Sequence, residues 1–343
     1  MIEDMKRTRS PKPTKQRRRR AGDVAVAALR RCGRDIRAAL PAARLGEDPE
    51  ALHHLRVAVR RARAVLGQYA IALEPDGSKL LAKHLRWLGR TTALTRDLDV
   101  LAQAVAGWMR DLDAADRRAL AALWATLDGA RQRSHEGLRS SLQSPRMADA
   151  LVAFGKLRPS ATGLATTQSA ATLGAARCAQ TLRRLSADIA TIDAGHEAAS
   201  DASLHAVRIV VKKARYRLQL QRELSDATRG RKLLRTLTKL QAALGRLQDA
   251  AVGQRRLASL ALPADAQATV AAGRLLERID AARHAAAAEA RALLPKVRRR
   301  ADKVAARLDR LVADEVVDQT QQRDGRGSAS VPDAPGDAEG GRS

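Results

Sequence analysis

The chain carries one pattern twice. Leu52 to Leu66 is LHHLRVAVRRARAVL and Leu204 to Leu218 is LHAVRIVVKKARYRL, 152 positions on with no gap. His53 answers to His205, Arg56 to Arg208, Arg60 to Lys212, Arg61 to Lys213 and Arg63 to Arg215. At about 100° per residue on a helix, His53, Arg56, Arg60 and Arg63 share one stripe, and Leu52, Leu55, Val59 and Leu66 share the next. Each copy is therefore predicted to be a helix with one edge in a core and the adjoining edge a row of cations, with Arg61 off the row. Like charges at this spacing repel one another and weaken an isolated helix. A chain that builds the same row twice, in the same register, gains from a polyanion lying along it. A repeat this long is a whole subdomain rather than a solenoid unit.

The surrounding sequence repeats more loosely. LRRCGRDI at 29–36 resembles LRRLSADI at 182–189, one residue off the main offset. Lys79 and Lys83 match Arg231 and Arg235; Leu85, Leu88, Asp97 and Val100 match Leu237, Leu240, Asp249 and Val252; Arg131 and Arg139 match Arg283 and Arg291. Hydrophobic residues make up 45% of the chain, mostly Ala, Leu and Val, against 2% aromatic, so the expected core is aliphatic. Ala, Leu and Arg favour helix, and no alternating run suggests a strand. The fold class is all-α.

Helices are predicted at about 23–40, stopping at Pro41, then 49–72, 78–109, 114–142 and 147–157. The turn Glu74-Pro75-Asp76-Gly77 separates the second from the third, and a loop at 159–167 closes the first half. The second half repeats the plan and ends in a long helix at about 264–312, where Pro295 predicts a kink or break. Short connections make neighbours antiparallel. Residues 1–21, with Lys6, Arg7, Arg9, Lys12, Lys15 and the run Arg17 to Arg20 around Pro11 and Pro13, are expected to be a disordered basic arm. The polar stretch 312–343 is expected to be a disordered tail.

The formal net charge is +26 and the pI about 11.4, which points to polyanionic partners: polyphosphate, nucleic acid or an anionic surface. No run of roughly 18 uncharged apolar residues would span a membrane, and no apolar segment follows the basic N-terminus as in a signal peptide; a cytoplasmic protein is expected. Cys32 and Cys178 each fall in the first helix of a repeat. A pair by symmetry is one reading, and two buried thiols the commoner one. No zinc spacing occurs.

The doubled H-x-x-R-[VI]-x-x-[RK]-[RK]-x-R motif resembles that of the CHAD domain, the conserved-histidine α-helical domain, over roughly residues 22–311. The resemblance implies two pseudo-symmetric four-helix-bundle repeats, about 22–158 and 168–311, forming one domain with a basic central groove or pore that binds inorganic polyphosphate. It places Arg56, Arg60, Arg61 and Arg63 and their partners Arg208, Lys212, Lys213 and Arg215 on the path of the polymer, followed by Lys79, Lys83, Arg231 and Arg235. His53, His205, Arg86, Arg90, Lys239, Arg131, Arg139, Arg283 and Arg291 complete the candidate set. No cofactor and no metal is implied. A place at polyphosphate granules is expected.

Polyphosphate has about one charge per phosphate and no bases, so cations spread along a path suffice, arginine as a fork and lysine as a point charge. Much of the drive is counterion release, as for DNA. Taken singly, any of these cations is a solvated helix face. For His53 and His205 two readings stand: a donor to phosphate, or a packing histidine bonded to backbone or a carboxylate. His54, His84, His135, His196 and His284 have no repeat partner. Asp97 and Asp249 are expected to orient a nearby arginine or to cap a helix; the Asp97-x-Asp99 pair is not kept in the second copy. Neither a P-loop, an H-E-x-x-H motif nor a concentrated carboxylate set is present, and the E-x-E-x-K signature of the triphosphate-tunnel domains that often accompany CHAD domains is missing. The chain is therefore expected to bind without catalysing. The alternative is a nucleic-acid-binding, nucleoid-associated protein using the basic arm, although its aromatics are few and scattered and offer no stacking platform.

Overall fold

Local signals set where the first motif helix begins. Helix α1 (Ala21–Leu45) ends at Gly46, whose φ of 75° suits glycine and whose N–H closes on the Ala42 carbonyl. Asp48 then caps α2 (Pro49–Tyr69): its Oδ1 accepts from the Glu50 N–H at 2.8 Å, and Pro49 fills the first turn. The computed structural model describes residues 19–110, 112–162, 168–194, 200–224, 230–259 and 266–327. After a 3-10 turn at Ala70–Ala72 come α3 (Pro75–Thr91), α4 (Ala93–Arg110), α5 (Ala114–Ala119), α6 (Ala121–Gln143) and α7 (Pro145–Lys156). The second half holds α8 (Ala170–Ala194), α9 (Asp201–Leu224), α10 (Arg231–Ala258) and α11 (Ala266–Gly327). The fold is all-α; among the described residues the only β contacts are the isolated bridges Arg20–Ser169 and Leu73–Pro159.

Three apolar cores hold these helices. The first joins α1, α2, α3, the end of α6 and α7 through Leu29, Ile36, Leu55, Leu85, Leu142 and Phe154. The expected stripe Leu52, Leu55, Val59 and Leu66 is buried in it, at 1%, 0%, 3% and 6% exposure. The second joins α8, α9, α10 and α11 through residues such as Leu182, Leu204, Val211, Leu237 and Leu294. The third crosses between the halves: Leu98, Leu101 and Val105 of α4 and Leu123 and Leu127 of α6 meet Leu257 of α10 and Leu275 and Ile279 of α11. Each buried leucine or isoleucine contributes about 1.5–3 kcal/mol. Cys32 and Cys178 are buried free thiols, pushed up to about 11 and about 12 by burial.

Several boundaries differ from expectation. Helix α1 runs through Pro41 and α11 through Pro295. A proline removes one backbone bond, but Leu40 and Ala43 flank the first in the core, and Leu294 and Val297 flank the second. Helix α11 also continues past 312 to Gly327: no proline or glycine intervenes before Gly325, and a polar composition does not itself oppose helix. The helix expected at 78–109 is two, separated at Thr92, and the one expected at 114–142 is divided at Leu120. The basic arm up to residue 18, most of the 159–167 loop and the tail from 328 lie outside the described residues. Among the described residues no helix is long and apolar enough to cross a membrane.

Candidate polyanion-binding site

The two motif helices pack against each other, and this brings the paired cations into one place. Arg217 of α9 donates to the Gly67 carbonyl of α2 at 2.8 Å, and Arg61 of α2 pairs with Glu223 of α9 at 3.3 Å. Towards the N-terminal side of these contacts in both helices, Arg56, Arg60, Arg208 and Lys212 are half-buried and act on one another's charge. Arg56 and Arg208 are drawn below the ordinary guanidinium value, first by burial and then by Arg60, with the aspartates opposing. Lys212 is lowered to about 8, by burial first and then by Arg208 and Arg60.

Asp97 of α4 and Asp249 of α10 stand at the same point. Burial raises both carboxyls; Arg56, Arg256 and Arg208 act against this at Asp97, and Arg208 and Lys212 at Asp249. Arg256 approaches Asp97 at 3.9 Å. Both matched aspartates lie inside their helices, so neither is a helix cap, and each stands among cations. The cluster sets Arg56, Arg60, Arg96, Arg208, Lys212, Arg255 and Arg256 against two carboxylates. Buried donors are left over as well: the Nε–H groups of Arg208 and Arg215 have no acceptor among the described residues. An unpaired buried donor costs about 1–3 kcal/mol, more when charged, and here the cations outnumber the carboxylates.

A cleft of about 380 Å³ opens beside the cluster, lined by His53, Arg60, Arg61, Arg215, Tyr216 and Gln241. Arg215 lies over the Tyr216 ring at 4.5 Å, which holds a guanidinium plane in place. The two motif histidines differ. The exposed His205 meets Gln248 Oε1 through Nδ1 at 2.7 Å. His53 lines the cleft, and its imidazole is made harder to protonate by burial and then by Arg96. Position 96 in the first repeat matches position 248 in the second, so each motif histidine faces the same position of its neighbouring helix.

Of the other candidates, Arg63 and Lys213 are exposed on the motif helices, and Lys79, Lys83, Arg86 and Arg90 are exposed on α3. Arg231, Arg235 and Lys239 are exposed on α10, the last two on its α11 side. Arg131 and Arg283 are engaged elsewhere: Arg131 with Asp128 at 3.0 Å and the fully buried Asp99 at 3.8 Å, Arg283 with Asp201 at 2.7 Å and Asp280 at 3.1 Å. Arg139 lines a separate hollow with Arg44 and Arg131, and Arg291 is exposed on α11. These four do not join the central cluster.

The structure adds residues that the doubled motif does not reveal. Arg96, Arg255 and Arg256 have no cationic repeat partner. Arg256 follows the matched Asp249 by two helical turns, so it shares that face; this is the one sequence signal that marks it. Thr92 accepts from Arg56 Nη1 at 2.8 Å while donating to the Leu88 carbonyl at 2.7 Å.

A model of the CHAD domain matches residues 27–258. Among solved structures, the CHAD domain from the plant Ricinus communis is similar with a TM-score of 0.57 and 26% identity, covering 83% of this chain and 92% of that one. PptA from Streptomyces chartreusis is similar with a TM-score of 0.58 and 22% identity, covering 84% of this chain and 99% of that one. No curated protein matches.

Proposed function

The chain belongs to the CHAD domain family, and from that footing we propose that it binds inorganic polyphosphate at the cluster between its motif helices, without turning it over. The observation that carries this reading is the meeting of Arg56, Arg60, Arg208 and Lys212, distant in sequence, in one half-buried place with two carboxylates and unsatisfied guanidinium donors. A flexible phosphate chain answers that need: it brings closely spaced negative oxygens, fits both forks and point charges, and releases counterions on both sides. Binding pairs Arg60 and Lys212 and lifts their mutual repulsion. Asp97 and Asp249 keep Arg56, Arg208 and Lys212 in place when the site is empty. Association with polyphosphate granules follows from this reading.

The test is a competition between long-chain polyphosphate and a DNA duplex at equal phosphate concentration, in about 0.15 M salt, where distant charges are screened. The wild type is compared with Arg56→Ala, Arg60→Ala, Arg208→Ala and Lys212→Ala combined. Four charge-assisted contacts of about 1.5 kcal/mol or more, not fully additive, predict a loss of ~100-fold or greater. Because that variant leaves Asp97 and Asp249 without partners, Arg60→Gln with Arg215→Gln serves as a second one that spares them. Preference for DNA, or unchanged polyphosphate affinity in the second variant, rejects the reading and turns attention to the basic arm.

A further inference from the structure

Helix α10 has a second basic face. Lys232, Arg235 and Lys239 of α10 look across to Lys296 and Arg300 of α11, over a cleft of about 390 Å³ with Thr236 on its wall. Lys239 and Gln241 are two residues apart, about 200° around the helix, so this cleft and the central one, which Gln241 lines, lie on opposite sides of α10. The two are separate places on the molecule.

The cations of this cleft are uncompensated. Several arginines of α8, α10 and α11 have carboxylate partners: Arg183 with Asp309, Arg246 with Glu289, Arg283 with Asp201, Arg298 with Asp193. None of the five cleft cations forms an ion pair among the described residues. Arg300 is nonetheless fixed. Its Nη1 donates to the Lys232 carbonyl at 3.0 Å and to Thr236 Oγ1, and Nε and Nη2 are left without a protein partner among the described residues. A held guanidinium with open donors, ringed by four further cations, is suited to several phosphoryl oxygens at once. No aromatic side chain lines the cleft, so nothing there would stack on a base.

The matching face of the first repeat carries fewer cations. At the positions matching Lys232, Arg235 and Lys239 stand Leu80, Lys83 and Trp87, and Arg146 lies over the Trp87 ring at 4.9 Å. The feature is thus outside the duplicated motif. We propose that the α10–α11 cleft is a second anion site that takes a short run of condensed phosphate. The proposal rests on the polyphosphate reading above and extends it: one molecule grips two separate segments of polymer.

Titration calorimetry of the full chain with inorganic tripolyphosphate in about 0.15 M salt tests this. Three proteins are compared: wild type, Lys239→Gln with Lys296→Gln, and Arg60→Gln with Arg215→Gln. The altered cleft lysines are exposed, and a thermal melt checks that each variant is folded. Two bound equivalents are expected in the wild type, the cleft variant losing one and the central variant the other. An unchanged titration in the cleft variant overturns the second site. So does a single wild-type equivalent that only the central variant loses, and in that case the polyphosphate reading stands. Failure of the wild type to bind either tripolyphosphate or long-chain polyphosphate overturns both.

Discussion

Lys212 is a cation whose charge changes within an accessible pH range. Its ammonium loses its proton at about 8 in the folded chain, against an ordinary value of 10.5. Between those values the unfolded chain holds a proton that the folded chain has released, so without ligand this group makes stability rise with pH across that window and leaves its full penalty in place below it. Binding has the opposite sign: a phosphate favours the charged ammonium, and affinity falls as pH rises through 8. Lys212→Met is expected to remove that part of the rise in melting temperature between pH 8 and 10. It should also weaken polyphosphate binding at pH 7 by roughly tenfold and flatten the fall in affinity between pH 7 and 9. Thermal melts and titrations of both proteins across that range decide it; parallel profiles in the two would place the titrating group elsewhere. The motif cations were legible in the sequence at this scale because two copies share a register. Arg96, Arg255 and Arg256 were not, because their role depends on Asp97 and Asp249 coming together from α4 and α10.

At the scale of the helix, the halves part company at Thr92. The matching position in α10 is Leu244, buried in an unbroken helix, whereas Thr92 interrupts α3 and α4 and turns its hydroxyl to Arg56 and the Leu88 carbonyl. A threonine hydroxyl bonded back to the carbonyl four residues earlier competes with the regular ladder, and here the interruption presents an acceptor to a motif arginine. Thr92→Val keeps the volume and removes both bonds. It should lower unfolding free energy by about 1 kcal/mol or somewhat more in urea titrations and weaken polyphosphate binding several-fold, by freeing Arg56; an unaltered affinity would mean that Arg56 does not need that anchor. Helix positions and faces were readable from periodicity and caps. The ends were less so: Pro41 and Pro295 are local stop signals that core contacts on either side outweigh, and α11 extends through a polar stretch where propensity prevails over composition.

At the scale of the molecule, the third core ties the halves together, beside Leu173 and Leu220 of the second half in the first core. Ile279 of α11 is 1% exposed and lies in the cluster with Leu98, Val105 and Leu127 of the first half. Ile279→Ala is expected to cost about 2–5 kcal/mol while leaving a single transition. Trp108 and Trp124 report on this core and Trp87 on the first, so tryptophan fluorescence and far-ultraviolet circular dichroism should move together in denaturant. Two separated transitions would show that the halves fold independently. The link matters for binding: Asp97 sits on α4 and Arg256 on α10, so the cluster exists only while these elements are docked.

By itself the sequence determined that the chain is helical, that it is built on a duplicated motif helix, and that each copy joins an apolar stripe to a row of cations. These are local properties, set by spacing, propensity and capping over a few turns. Only the tertiary structure decided which cations matter together. Burial lowers Lys212, the break between α3 and α4 seats Arg56 on Thr92 and guanidinium donors are left unpaired among the described residues, whereas Arg131 and Arg283, matched equally well in sequence, are drawn off by Asp99, Asp128, Asp201 and Asp280. The physical reason is that electrostatic roles follow from distance and desolvation between elements far apart in the chain, and a helical repeat encodes neither.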